Sequence, residues 1–395
     1  MLYNVLKKLK FEGTLEIKDS NDNVHSFGNS NPVVAVKLTN KSIERKLFFN
    51  PSLYIGEAYM NEELIIEKGT IEEFINLITN CYDDFISNNK IYKLYEYMSS
   101  IFMPLQQINQ LVNSKKNVAH HYDIDENLYK LFLDKDMQYS CAYFHNINMS
   151  LDQAQKDKKE HIINKLQINE NMNVLDIGCG WGGLAFEIAR QKQCEVLGIS
   201  LSENQIKYCK EKAKEHNLDN QVRFELIDYR HAKGKFDRIV SVGMLEHTGK
   251  KFYKTYFKKI NELLKNDGIG LVHTIGSIDQ PQPPAPFIQK YIFPGGVVPS
   301  LSDLISPIEK TGLIVNDIET LIRHYDKTLE GWLSRFMNKR SEVKDLFDEK
   351  FVKCWEFYLA SCSSAFKYRD LVVFQLQLVK NFDAIPSNRR DYIYS

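Results

Sequence analysis

The chain has 395 residues, 43% of them hydrophobic, which is longer than one core ordinarily carries, so two units are expected. Lysine plus arginine total 51 and aspartate plus glutamate total 51, which excludes an overall field drawing the molecule to nucleic acid or to an anionic membrane. The seven cysteines form no C-x-x-C pair and suit a reduced cytosol rather than zinc or a disulfide framework, and no apolar run approaches the roughly 18 residues of a spanning helix.

β-like pieces at Gly13–Lys18 and Val33–Leu38 surround the turn-rich stretch Asp19–Pro32, and helical periodicity follows from about Ile71 to Ile101. These predict a smaller N-terminal α+β domain over residues 1–95. The polar stretch Asn113–Ser114–Lys115–Lys116–Asn117 falls in a helical linker, 96–120, and His120–His121–Tyr122–Asp123 marks the approach to a second domain, 121–395. From about Lys158 strands and helices alternate: Val174–Ile177, Leu184–Arg190, Glu195–Ile199, Glu203–His216, Val222–Leu226, Arg238–Val242, Phe252–Leu264 and Ile269–Ile275. Such alternation predicts an α/β fold, a Rossmann-like, doubly wound, mostly parallel sheet with helices on both faces. Lysines crowd Lys156–Lys159, Lys207–Lys214 and Lys250–Lys259, and read as solvated helix faces, with membrane contact as the alternative. The stretch Asp279–Pro299 holds six prolines together with Phe287, Ile288, Tyr291, Ile292 and Phe293. Its proline density argues against a regular helix at its start, and its aromatic residues form either a loop packed on the core or an apolar lid.

The run Val174–Leu175–Asp176–Ile177–Gly178–Cys179–Gly180–Trp181–Gly182–Gly183 marks a ligand-binding turn, where an apolar strand breaks into glycines and then a helix. Gly178, Gly180 and Gly182 allow close backbone approach, and the helix start favours an anionic group, a carboxylate as well as a phosphate. Gly178, Gly180 and Gly183 also satisfy the dinucleotide fingerprint G-x-G-x-x-G. The next strand ends, however, at Ser200, where a nicotinamide-binding fold wants an acidic residue for the ribose. Asp176 adds a negative charge that suits a cationic cofactor better than a pyrophosphate. S-adenosylmethionine, with a sulfonium, an ammonium and one carboxylate, fits this set, and the nicotinamide reading is kept as its rival.

Ligands in such sheets bind beyond the carboxyl ends of the strands. Glu246 and His247 follow the strand Arg238–Val242, and His273 lies in Ile269–Ile275, so a Glu and a His form a candidate acid/base pair or a cradle for a small ion. The chain also resembles the cyclopropane-fatty-acyl-phospholipid synthases, the family that includes the mycolic acid cyclopropane synthases. The resemblance is carried by His121–Tyr122–Asp123, the run Tyr139–Ser140–Cys141–Ala142–Tyr143–Phe144, the glycine turn, Ser202–Glu203–Asn204–Gln205, Glu246–His247, the run Gln289–Lys290–Tyr291–Ile292–Phe293–Pro294, Tyr325–Asp326–Lys327–Thr328–Leu329 and Ala365–Phe366–Lys367–Tyr368–Arg369–Asp370. These span about residues 110 to 375. Leu53–Tyr54–Ile55–Gly56–Glu57–Ala58–Tyr59–Met60 is similar to a segment of the longer bacterial phospholipid enzymes that the mycolic acid enzymes lack.

The resemblance implies a class I S-adenosylmethionine methyltransferase fold whose cofactor is held by Tyr139, Ser140, Asp176, Gly178, Gly180, Gly182, Ser200, Gln205, Asp228 and Tyr229. It implies a bicarbonate ion held by Cys141, Glu246, His273, the Ile275 backbone and Tyr325, with no metal, and it places Cys362 among the active-site residues. The implied reaction transfers a methyl to the cis double bond of an unsaturated phospholipid acyl chain and closes a cyclopropane ring. The alternatives are methylation without ring closure, giving a branched or oxygenated chain, and a non-catalytic protein that binds the cofactor and lipid. Further expectations are a homodimer and a cytoplasmic location peripheral to the inner face of the membrane, with bilayer phospholipids and no nucleic acid as partners. The N-terminal unit and Phe287–Phe293 are the candidates for lipid contact.

Overall fold

The structure, a computed structural model, describes residues 1–93, 126–279, 285–384 and 389–394. The chain forms two compact units that are not contiguous in sequence: 1–110, 282–294 and 329–370 make the first, and 111–281, 295–328 and 371–395 the second. This differs from the expected run of 121–395 as one domain. The predicted linker 96–120 and the His120–Asp123 motif lie outside the described residues.

The first unit is built on a four-stranded sheet of order β2-β1-β3-β4, with β1 at Thr14–Lys18, β2 at Val24–Gly28, β3 at Val33–Leu38 and β4 at Leu64–Lys68. β1 and β3, the pieces visible as alternation, run parallel and bury alternate residues, Val34, Val36 and Leu38 among them. β2 falls in the stretch read as turns, because its sequence Val-His-Ser-Phe-Gly buries only Phe27 and carries no periodic signal. The predicted helical stretch resolves into Ile71–Asn80, opened by a Thr70/Glu73 capping box, and Tyr82–Asn88. The helix Glu349–Tyr368 packs on Ile71–Asn80 and on Pro51–Met60, which draws 329–370 into this unit. Tyr59 Oη, on Pro51–Met60, donates to Glu356 at 2.7 Å across that packing, and Arg340 Nε donates to the same carboxylate at 2.7 Å. The start of the proline-rich stretch, 280–284, lies outside the described residues; a short helix follows at Pro286–Tyr291, where Pro286 takes a first-turn position in which its missing N–H is no loss. Phe287 and Ile292 are buried, each 1% exposed, so these two pack as core within the unit. Gly56 makes room for Phe287: a Cβ there would overlap its ring.

The second unit holds a seven-stranded sheet of order β10-β11-β9-β8-β5-β6-β7. Its strands are β5 (Asn173–Ile177), β6 (Glu195–Ser200), β7 (Val222–Leu226), β8 (Phe236–Val242), β9 (Leu264–Ser277), β10 (Ile314–Leu321) and β11 (Leu371–Val379). β5 to β9 are mutually parallel, and β11 and β10 close the edge antiparallel. Each face carries its own core, because side chains alternate along a strand. Val174 packs with Leu184 and Ile188 on one face, and Leu175 and Ile177 pack with Tyr256 and Ile260 on the other. From β5 the chain winds outward to β6 and β7, then returns to β8 and β9 on the other side, so the ends of β5 and β8 form a topological switch point.

Candidate active site

At that switch point the strand β5 ends in a tight glycine turn. Gly178, Gly180 and Gly182 have φ of 81°, 53° and 82°, in the left-handed region that L side chains resist. The Ile199 carbonyl on β6 accepts from the N–H groups of Gly178 at 2.9 Å and Cys179 at 3.1 Å, which folds the turn back on its neighbour strand. A Cβ at Gly178 would lie 2.9 Å from that of Met244 in the loop after β8. Gly182 is the N-cap of the helix Gly183–Lys192 and makes no side-chain cap.

Beyond the strand ends lies a cavity of about 200 Å³. Tyr139, Ser140, Asp176, Gly178, Gly180, Ser200, Gln205, Asp228 and Tyr229 line it; Gly182, the remaining residue expected there, supports the turn from below, its position packed against Cys209, Phe186 and Phe224. Ser200 Oγ donates to Gln205 Oε1 at 2.8 Å, which fixes the amide at the end of β6. The Asp228 carboxylate accepts from Arg230 Nε at 2.9 Å and is held below the usual carboxylate range by that guanidinium and the Arg230 amide, against the opposing effect of its burial. The Tyr139 ring rests edge-on against Tyr129, with centroids 5.2 Å apart. Asp176 is buried, and burial pushes its carboxyl up to about 7, opposed by the Lys158 ammonium. A buried carboxylate, a roof of glycines and a serine where a ribose-binding acid would stand fit a cationic cofactor with one carboxylate better than a dinucleotide.

The second group of expected residues lies beside this cavity. Glu246, on the short turn Leu245–His247, has Oε1 accepting from the Ile275 N–H at 2.7 Å, while Oε2 is buried with no hydrogen-bond partner among the described residues. Burial pushes its carboxyl up to about 7 against the pull of backbone amides and the Thr274 hydroxyl. His247 lines the cavity, and burial brings its imidazole down to about 4. His273, two residues before Ile275, is buried on β9, and its Nδ1 lies in hydrogen-bond contact with the Gln375 side-chain amide at 3.1 Å. Burial, then the positive charges of Lys158 and Lys165, hold it well below its ordinary value and keep it neutral.

Cys141 is fully buried and burial raises its thiol, so it acts as a neutral group. Its segment is pinned to the helix His324–Asn338: the Ala142 N–H donates to Thr328 Oγ1 at 3.0 Å and the Phe144 N–H to His324 Nδ1 at 3.0 Å. Tyr325 occupies the first turn of that helix, half-buried. Cys362 belongs to the first unit, on Glu349–Tyr368, where burial pushes its thiol up to about 12. Residues that sequence reasoning passed over include Gln138, Met244 and Phe252 in the cavity wall, and Gln155 and Lys158 behind it. Lys158 and Lys159 fell in a run read as solvated, yet they are 1% and 2% exposed. Position i+3 from Gln155 is the available signal, since it puts two polar residues on one helix face.

A switch-point cavity with this wall defines a methyltransferase that uses S-adenosylmethionine. The sequence model described as mycolic acid cyclopropane synthetase matches residues 109–376, and the chain belongs to that family. Residues 2–90 match a domain of unknown function, DUF7884. Over 256 residues the chain is 41% identical to the cyclopropane-fatty-acyl-phospholipid synthase of Escherichia coli K12, a match covering 65% of each protein. It is 38% identical over 272 residues to a probable fatty acid methyltransferase of Pseudomonas putida, covering 67% of this chain and 69% of the relative. Among solved structures, the mycolic acid cyclopropane synthase CmaA1 complexed with SAH and CTAB superposes with a TM-score of 0.64 at 31% identity, covering 67% of this chain and 97% of that one.

Proposed function

We propose that the protein transfers the methyl group of S-adenosylmethionine to the cis double bond of an unsaturated phospholipid acyl chain and closes a cyclopropane ring. The observation that carries this reading is Glu246: a buried carboxylate beside the cofactor cavity, anchored through one oxygen to Ile275 and with the other unpartnered among the described residues. Bound S-adenosylmethionine supplies an electrophilic methyl on a sulfonium. An alkene is a weak nucleophile, so the residues of the cavity must align it in line with that methyl and exclude water, and alignment of this kind is worth about 7–11 kcal/mol at best. Tyr139, Tyr229 and Phe252 line the cavity, and aromatic faces stabilise a nearby positive charge by about 0.5–2 kcal/mol each. Ring closure then needs a base, and the ionised Glu246 carboxylate is placed to serve or to orient one. Bicarbonate would be held by Cys141, Glu246, His273, Ile275 and Tyr325, of which Glu246 and Ile275 are in direct contact, and would supply a small, mobile base.

A second reading, methyl branching without ring closure, draws on the tuberculostearic acid methyltransferase UfaA1 of Mycobacterium tuberculosis, which is 28% identical over 352 residues and covers 86% of this chain. Contact with the bilayer from its inner face and a homodimeric assembly complete the proposal; among the described residues no helix is long and apolar enough to cross a membrane. The test is incubation with cis-unsaturated phospholipid vesicles and methyl-labelled S-adenosylmethionine, then gas chromatography with mass detection of the acyl esters. A labelled cyclopropane chain that resists mild hydrogenation is expected. A labelled methyl branch would establish the second reading, and cofactor binding without labelled lipid would leave a non-catalytic protein.

A further inference from the structure

The helix Leu151–Leu166 turns an unusually polar face inward: Gln155, Lys158, Lys159, His161 and Lys165 are all buried. Lys159 pairs with Asp136 and Glu187, and His161 and Lys165 both meet Glu319. Lys158 is placed differently. Its ammonium donates to two neutral acceptors, Gln138 Oε1 at 2.6 Å and Ser140 Oγ at 2.8 Å. One turn earlier, Gln155 Nε2 donates to the carbonyls of Ser140 at 2.9 Å and Gln138 at 3.4 Å. Two side chains of one helix thereby grip both ends of Gln138–Tyr139–Ser140, and those three residues form a wall of the cofactor cavity that Lys158 itself does not line. A buried ammonium is costly unless its field is used, and the groups that face it are Asp134, Asp176, Lys159, Cys141 and His273.

We propose that Lys158 is a positioning residue for the cofactor: its ammonium clamps the strap Gln138–Ser140 against the cavity and supplies the positive charge that faces the Asp176 carboxylate. The inference rests on the cavity being the S-adenosylmethionine site. Burial brings Lys158 down to about 8, with Asp134 opposing, and it brings Asp176 up to about 7, with Lys158 opposing. Below about 7 the aspartate takes up a proton, and above about 8 the lysine loses one, so cofactor affinity is greatest between the two.

The test is calorimetric titration with S-adenosylhomocysteine across that range, for the full chain and for Lys158→Met and Lys158→Gln. The methionine variant is expected to bind about tenfold more weakly at neutral pH, the glutamine variant to recover part of that by donating to Ser140, and both to lack the alkaline fall. An alkaline fall shared by all three proteins belongs to the amino group of the ligand and contradicts the proposal, as does wild-type affinity in Lys158→Met. Should that variant fail to fold, Lys158→Gln carries the comparison alone: loss of the alkaline fall in it supports the proposal, and a fall equal to that of the wild-type protein overturns it. Absence of any binding by the wild-type chain would instead remove the cofactor reading itself.

Discussion

Replacing Glu246 with glutamine is expected to lower turnover by about 10²-fold or more while leaving S-adenosylhomocysteine affinity within about threefold. Glutamine keeps the size of the side chain and, through its carbonyl, the acceptor for the Ile275 N–H, so the loop and the cavity beside it are retained. The loss is confined to the carboxylate charge and its ability to take or direct a proton. Because burial pushes this carboxyl up to about 7, a step that needs its ionised form must weaken as the pH falls through that value. The wild-type turnover profile therefore carries an acid limb near pH 7 that Glu246→Gln lacks, and the check is acyl-product formation at saturating cofactor across the range. Equal rates for the two proteins would remove Glu246 from the reaction.

The second large effect is expected from Gly178→Val. The position has φ of 81°, and a Cβ there would lie 2.9 Å from the Met244 Cβ, so the substitution is opposed by both the backbone and the packing. The left-handed conformation costs about 1–2 kcal/mol for an L residue, and overpacking typically adds about 1–3 kcal/mol. Either the turn opens or the loop after β8 retreats, and in both cases the cavity wall moves, so cofactor affinity is expected to fall about 10²-fold. Gly234→Ala is the control. Gly234 also has a positive φ, 111°, but lies outside the cavity wall, so this change lowers the melting temperature and leaves affinity for adenosylhomocysteine in place. Calorimetric titration of both variants separates a lost site from a weakened fold.

The second unit was legible wherever the signal was local. Val174–Ile177 breaking into glycines, Ser200 and Gln205 after the next strand, and Glu246 after β8 all follow from strand–turn–helix punctuation, and the structure gathers the cofactor residues around one cavity. The antiparallel edge of β10 and β11 was not legible, because a strand pairing made across some fifty residues of intervening helix leaves no mark in either strand's alternation. The division into units was hidden for a related reason: Glu349–Tyr368 is an amphipathic helix like any other, and only its apolar partners on Ile71–Asn80, far off in sequence, show where it belongs. Lys158 was misplaced because charge patterning takes a lysine run as solvated, whereas here Gln138 and Ser140, some 20 residues upstream, supply the acceptors that make its burial tolerable. Resemblance to the family supplied what periodicity does not, the grouping of Cys141, His273, Ile275 and Tyr325 with Glu246. The structure joins Glu246 directly to Ile275, and ties the segment of Cys141 to the helix that begins beside Tyr325.

The decisive measurement is a crystal structure of the full chain with S-adenosylhomocysteine bound. The ligand is expected across the ends of β5 and β8, over Gly178–Gly182, with its amino acid portion toward Asp176 and its sulfur on the side of Glu246. Ligand bound elsewhere, or a glycine turn that stays empty at saturating concentration, would contradict the assignment of this cavity as the place where the methyl group is delivered.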